Sequence, residues 1–272
     1  LSSSIGFILG PLLGVGLMQP QVFGKISYLM PFIVTAGMLF FIIFLLWYFC
    51  DDKHAAKNYA NSTHSDSTAS VKNVEKSKII FNKVSLIKWY FIVFTIYMLA
   101  RMVFFNALPI IFHNNFNADG SYNGWLMAYF SLILTLGLIF IFPKLSKHYS
   151  LQLITLWAFI IQILGYFIFI FIPLEKIAWL SLGIIALSVS FIYVSMASII
   201  SNATAKEQQG QVMGIVGSIA SLAWGIGPLI AGGLITLGMK WIYQFVVIFT
   251  LIPLIIFWQI SRNKLLLPSK NR

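Results

Sequence analysis

Gly6-Phe7-Ile8-Leu9-Gly10-Pro11-Leu12-Leu13-Gly14 places glycines four residues apart around a proline, inside an apolar run. A second copy stands near the other end of the chain. Aligning Gly10-Pro11 with Gly227-Pro228, an offset of 217 positions, also pairs Ser4 with Ser221, Leu12 with Leu229, Gly16 with Gly233 and Leu17 with Leu234. Six identities within fourteen residues, centred on Gly-Pro, mark an internal repeat. The number of hydrophobic spans between the two copies then decides the architecture.

Hydrophobic residues make up 59% of the chain and charged residues 9%, whereas a soluble domain carries about 25% charged residues. The composition is that of an all-α membrane protein. A membrane helix needs about 20 apolar residues, because the hydrocarbon core is about 30 Å thick and each residue rises about 1.5 Å. Eight stretches meet that requirement: residues 2–18, 26–49, 87–110, 123–142, 151–172, 177–199, 211–237 and 241–261. The long polar stretch between the second and third is rich in Ser, Asn, Lys and Thr without hydrophobic periodicity, and reads as a flexible linker. Three parts follow: two helices in residues 1–50, the linker over 51–86, and six helices with a short tail over 87–272.

The net charge is +11. Of the eighteen Lys and Arg residues, fourteen fall on the side of the linker and C-terminus, three (Lys25, Lys176 and Lys240) fall opposite, and Arg101 lies within a span. That asymmetry puts the linker and the C-terminus in the cytoplasm, with Cys50 at the cytoplasmic end of its helix. Topology thus accounts for the basic balance. Nucleic-acid binding would need basic residues gathered on one folded surface, and here they sit in short loops between apolar runs. The single Cys50 rules out an intrachain disulfide or a thiolate cage, and His54, His64, His113 and His148 show no ligand spacing, so no metal site is expected. A membrane enzyme would need acids, histidines or a cysteine clustered at one membrane face. The scattered loop residues do not supply that set, and no catalytic residue is assigned. No G-x-x-x-x-G-K-S/T loop is present, so neither ATP nor another cofactor is expected. The apolar opening lacks the basic lead of a signal peptide and reads as a membrane helix.

The first Gly-Pro copy lies in the first span and its echo in the seventh, so the repeat period is six helices. Two complete repeats make twelve. One helix follows the echo, which makes the echo the fifth helix of its bundle. The first copy is then also a fifth helix, and four further helices are expected before Leu1, where the chain opens without an initiator Met. The linker falls where two six-helix halves would join.

Gly6, Gly10, Pro11 and Gly14 resemble the fifth-helix signature G-x-x-x-G-P-x-x-G-G of the drug and proton antiporter branch of the major facilitator superfamily, the branch of the tetracycline and multidrug exporters. Val15 replaces the last glycine and Gly16 follows one place later. The resemblance covers the whole chain as helices five to twelve. Two weaker likenesses accompany it. Pro143-Lys144-Leu145-Ser146-Lys147-His148-Tyr149-Ser150 keeps only the Leu and some positive charge of the family's G-x-L-x-D-R-x-G loop. Glu207-Gln208-Gln209-Gly210-Gln211-Val212-Met213-Gly214 is similar to the segment that opens the eleventh helix of such exporters. The resemblance implies a secondary active transporter in a bacterial inner membrane. Two six-helix halves would rock around a midplane site, and protons would drive efflux of a small organic compound or drug. Alternatives are a shortened, non-transporting remnant and a facilitator-type uptake transporter of a metabolite.

Gly6, Gly10 and Gly14 form a stripe that lets helix backbones approach closely, and Gly210, Gly214 and Gly217 form another. Pro11 and Pro228 each remove an intrahelical hydrogen bond and can bend their helices. With Gly227, these positions read either as tight packing or as bends that gate a cavity. Arg101 lies near the middle of a span, where a charge costs about 2.5–3.5 kcal/mol on insertion scales. All seven acids lie in the linker or loops. Arg101 is therefore expected to line the cavity and bind an anionic or polar substrate, or to pair with a carboxylate on helices beyond this sequence. The alternative is satisfaction by Asn106, Tyr97 and backbone carbonyls. Any proton-carrying acid would also lie outside this sequence. Asn106, Gln162 and Trp224 are further cavity candidates, with interhelical bonding or packing as the alternative. Trp47, Trp89, Trp125, Trp179, Trp241 and Trp258 lie near span ends and read as interfacial anchors.

Overall fold

The computed structural model describes residues 13, 16, 30–49, 85–204 and 208–265. Eight α-helices are formed there: α1 (Met30–Phe49), α2 (Ser85–Phe116), α3 (Gly120–Leu136), α4 (Phe142–His148), α5 (Leu151–Phe171), α6 (Glu175–Asn202), α7 (Gln209–Leu237) and α8 (Met239–Leu265). A π-helical turn, Gly137–Ile141, joins α3 to α4. Among the described residues, six spans are long and apolar enough to cross a membrane, α3 and α4 counting as one from Tyr122 to His148. The chain has the all-helical build of a membrane bundle, and with so few charges in the spans every backbone donor and acceptor in lipid must be met within the helix itself.

The chain divides into two compact units. Helix α1 belongs to Leu13–Ser85 and is apolar on every side. Phe32, Phe40, Phe41 and Ile43 are all largely exposed, and Phe44 stacks on Tyr48 at 6.3 Å. Such a surface is stable against lipid and not against water.

The other unit holds α2 to α8. Their connections are tight, and each is written in the local sequence. Helix α2 ends where Asn117 takes φ 52°, with its N–H donating to His113 O at 3.0 Å and the N–H of Ala118 donating to Phe112 O at 3.4 Å. Asn tolerates the left-handed conformation that such a helix end requires. Two residues on, the Asp119 carboxylate accepts from Tyr122 N at 2.8 Å and caps α3. Ser150 caps α5 in the same way, accepting from Leu153 N at 3.3 Å. Gly238 closes α7 at φ 117°. These hairpins make consecutive spans antiparallel. One end of the bundle gathers Lys88, Lys144, Lys147 and Arg262, and the other gathers Asp119, Glu175, Lys176 and Lys240.

Two spans run about six residues past the sequence expectation. Helix α2 continues through Pro109 to Phe116 instead of stopping at 110, which gives it a length of about 48 Å. Residues 143–148, read above as loop, are helical: Pro143 falls at the first turn of α4, where its missing N–H is tolerated, and Lys147 and His148 sit in the last turn, beside the negative end of the helix dipole. The Asp-less stretch therefore ends a helix, with the turn at Tyr149-Ser150.

Helix α6 runs along α5 and also packs on α3, while α8 packs on α5 and α7. Close approaches fall at glycines. A Cβ on Gly165 would lie 2.9 Å from Ile185 Cγ1, and one on Gly137 would lie 2.7 Å from Leu187 Cδ1. The π turn thus begins where α3 comes against α6. Trp89, Trp125, Trp241 and Trp258 are exposed near the ends of their spans, with the Arg262 guanidinium 5.7 Å above the Trp258 ring. Trp179 is half-buried in an aromatic group with Phe112, Tyr122 and Tyr129. Its indole Nε1 donates to Tyr122 Oη at 2.7 Å. This tryptophan therefore joins α6 to α3 near the end of its span. The side chain of Trp47 lies outside the described residues.

Candidate functional site

The buried apolar residues form two clusters stacked along the bundle. On α2, one cluster runs from Tyr90 to Met102 and the other from Val103 to Phe112. On α5 the change falls between Phe159 and Tyr166, on α7 between Ala223 and Ala231, and on α8 between Val246 and Phe257. Polar or unusually small residues occupy the junction: Arg101 on α2, Gln162 on α5, Gly227 on α7 and Thr250 on α8. The junction lies near the middle of the spans, because each of these positions stands many residues from either helix end.

Arg101 is half-buried. Its Nη1 donates to Met98 Sδ at 3.7 Å, and its Nε is sequestered from solvent without a hydrogen-bond partner. One helical turn away, the fully buried Tyr97 has an equally unpartnered hydroxyl, within electrostatic reach of Arg101 and beside Gln162. Gln162 is fully buried as well. Its Nε2 donates to Tyr166 Oη at 2.8 Å, while its Oε1 accepts nothing. Tyr166 in turn lies beside Thr250, whose Oγ1 donates to Val246 O at 2.7 Å. The ring of Tyr97 meets Phe159 edge-on at 5.3 Å, and that of Tyr166 meets Phe104 at 4.8 Å, so both phenols are held by packing. A buried polar atom left without a partner costs about 1–3 kcal/mol. Two helices, α2 and α5, nevertheless bring three such atoms together, one of them on a guanidinium.

Among the described residues the acids are Asp119 and Glu175, both exposed at the same end of the bundle. Asp119 is occupied as a helix cap, and Glu175 accepts from Tyr122 Oη at 2.5 Å. No described carboxylate therefore neutralises Arg101.

The other expected site residues separate. Asn106 donates through Nδ2 to Met102 O at 2.8 Å, back onto its own helix, and so does not serve Arg101. Trp224 is 39% exposed and meets Phe105 edge-on at 5.8 Å. Phe105 also touches Phe130 at 5.6 Å. Because Phe105 follows Arg101 by four residues, ring and guanidinium share one face of α2. Arg101, Gln162 and Trp224 thus belong to one neighbourhood, with Tyr97 and Phe105 as the links, while Asn106 stands apart.

Gly227 is where α7 comes closest to α2. A Cβ there would lie 2.6 Å from Met102 Cβ and 3.3 Å from the Met102 carbonyl carbon. Met102 is the residue after Arg101, so the Gly227-Pro228 pair crosses α2 at the height of the arginine. Gly210, Gly214 and Gly217 behave otherwise: a Cβ on any of them would have no described atom within 4 Å. Among the described residues nothing packs on that stripe, and α7 meets α2 further along. Gly6, Gly10, Pro11, Gly14 and Glu207 lie outside the described residues.

Tyr166, Thr250 and Phe105 escaped the sequence reading. The spacing of four from Gln162 to Tyr166 and from Arg101 to Phe105 was the available signal, since residues four apart stack on one helix face. No comparable signal points to Thr250, which only the packing of α8 brings in. No curated protein matches the chain. The family model described as Major Facilitator Superfamily matches residues 1–192 and again 90–270, together all but the last two residues, and the chain belongs to this superfamily of membrane transporters.

Proposed function

We propose that the chain acts as a secondary active exporter of a small organic compound, driven by protons and working by alternating access. The observation that carries this reading is the coincidence of Arg101, unneutralised among the described residues, with the Gly227 crossing at one level between two apolar clusters. A polar site at the membrane midplane, flanked by a proline-containing helix that meets its neighbour backbone to backbone, is suited to bind a substrate and to change its access by a small bend. The antiporter signature at Gly6, Gly10, Pro11 and Gly14 favours export over uptake. The overlap of the two family matches over residues 90–192 supports a sequence built from a repeated six-helix unit.

In this reading α2 to α8 are the C-terminal six-span half, residues 51–86 are the cytoplasmic linker, and residues 1–50 belong to the other half. The basic end of the bundle faces the cytoplasm of a bacterial inner membrane. The described carboxylates, Asp119 and Glu175, stand at helix ends and not at the midplane, so in this reading the proton is carried by a group outside the described helices.

The test uses the full chain in proteoliposomes with an imposed pH difference and no ATP. A panel of lipophilic cations, neutral drugs and organic anions is added in turn, and collapse of the gradient is followed with a pH-sensitive dye. The expected result is compound-dependent proton flux that vanishes in protein-free vesicles. If no compound moves protons or exchanges across the membrane, the transport reading fails.

A further inference from the structure

Building on that reading, we infer that the Arg101 level is a subsite for an organic anion with an aromatic body: its acid group docks on Arg101 and Tyr97, and its rings rest on Phe105 and Trp224. The argument starts from charge. A guanidinium is permanently cationic, and in a low-dielectric bundle it requires an anion or an extensive set of acceptors. Arg101 has one weak sulfur acceptor at 3.7 Å, and the described acids are occupied at the far end of the bundle. An anion is the missing complement.

Hydrogen-bonding capacity narrows the ligand class. Arg101 Nε has a hydrogen to donate and no acceptor, and the Tyr97 hydroxyl has only the Gln162 amide beside it. A carboxylate presents two oxygens with several lone pairs and can take both donors, whereas an ammonium would be repelled by the guanidinium and would find only Gln162 Oε1 and the phenol oxygen to accept from it. Gln162 stands behind Tyr97 and is itself fixed by its 2.8 Å bond to Tyr166, so the phenol is backed by a positioned amide. A bare inorganic anion would satisfy the charge but leave the neighbouring surface unused. Phe105, one turn from Arg101, together with the edge-on and 39% exposed Trp224, offers an aromatic shelf beside the guanidinium. Aromatic rings prefer such offset and edge contacts. The combination selects an acid attached to a flat apolar body.

Binding is measured directly on the full chain in phosphatidylcholine nanodiscs, without any gradient, so that it is independent of transport. The probe is 1-naphthoate, with 1-naphthylmethylammonium as the matched cation and empty nanodiscs subtracted. Saturable binding of 1-naphthoate and none of the cation is expected. Arg101→Gln should weaken it about ten- to a hundred-fold, the loss of a charge-assisted hydrogen bond. Tyr97→Phe should weaken it several-fold with little change in the thermal midpoint, because Gln162, the hydroxyl's polar neighbour, keeps its bond to Tyr166. That split separates ligand contact from a merely structural role and stays informative if Arg101→Gln fails to fold.

Absence of 1-naphthoate binding, equal binding of the cation, or undiminished binding by both variants would overturn the inference. The first of these is also the outcome if a carboxylate elsewhere in the protein already neutralises Arg101. The two readings fail separately. Gradient-driven movement of cations with no naphthoate binding sinks the anion subsite and spares the exporter, and Arg101-dependent naphthoate binding with no transport of any compound does the reverse.

Discussion

Substituting Gly227 by alanine should damage the bundle far more than the same change at Gly214. An added Cβ at 227 would stand 2.6 Å from Met102 Cβ and 3.3 Å from its carbonyl carbon, atoms that cannot rotate away because they belong to the α2 backbone or are fixed to it. Ordinary carbon–carbon contact is about 3.5–4.0 Å, so α7 and α2 must part by about 1 Å at their crossing. Overpacking of this kind costs about 1–3 kcal/mol. At Gly214 the added methyl would meet nothing described within 4 Å, and alanine's better helix propensity, worth up to about 1 kcal/mol in water-soluble helices, opposes any loss. That propensity gain applies equally at Gly227 and cancels, so Gly227→Ala should be the less stable by about 1–3 kcal/mol. Reversible unfolding of the full chain in mixed micelles, titrated with denaturing detergent and followed by tryptophan fluorescence, measures the difference. Equal midpoints, or a Gly227→Ala protein more stable than Gly214→Ala, would refute the claim that α7 and α2 touch backbone to backbone beside Arg101.

Three further outcomes are expected. Tyr97→Phe, which deletes a buried hydroxyl without a partner, should leave stability unchanged or raise it by about 1 kcal/mol in the same unfolding titration; a loss of that size would reveal an unrecognised hydrogen bond. Tyr122→Phe removes the phenol that joins Trp179 to Glu175 and should destabilise the α3–α6 contact by about 1 kcal/mol, discounted because Glu175 is exposed. In a double-mutant cycle with Glu175→Gln, additive losses would show that the two side chains do not interact. Cys50, the only thiol, should resist a membrane-impermeant maleimide in intact cells and react after permeabilisation. Labelling of intact cells would invert the proposed orientation.

Much of this architecture was legible before any coordinates. Apolar runs of about 20 residues must become helices in lipid, because nothing else there satisfies the backbone. Asn117 and Asp119 between α2 and α3, and Ser150 before α5, are caps whose side-chain chemistry is local and therefore readable. The extent of a span was less so: α2 passes residue 110, and residues 143–148 stay helical, because polar residues near the membrane surface tolerate either helix or loop and neighbouring spans decide. Arg101 stood out by charge alone, as any cation in the middle of an apolar run does.

What the sequence determined by itself was the six spans from α2 to α8, their antiparallel alternation and the residue that could not be left uncompensated. These follow from each segment's own hydrogen bonding and transfer energy. Which faces meet was decided only by tertiary structure. Gly210, Gly214 and Gly217 have the spacing of a packing stripe, yet Gly227 makes the contact, because helix crossing depends on the angle and register of two helices and not on the pattern of one. Thr250 beside Tyr166 likewise arises from how α5 and α8 are rotated against one another, which no single segment encodes.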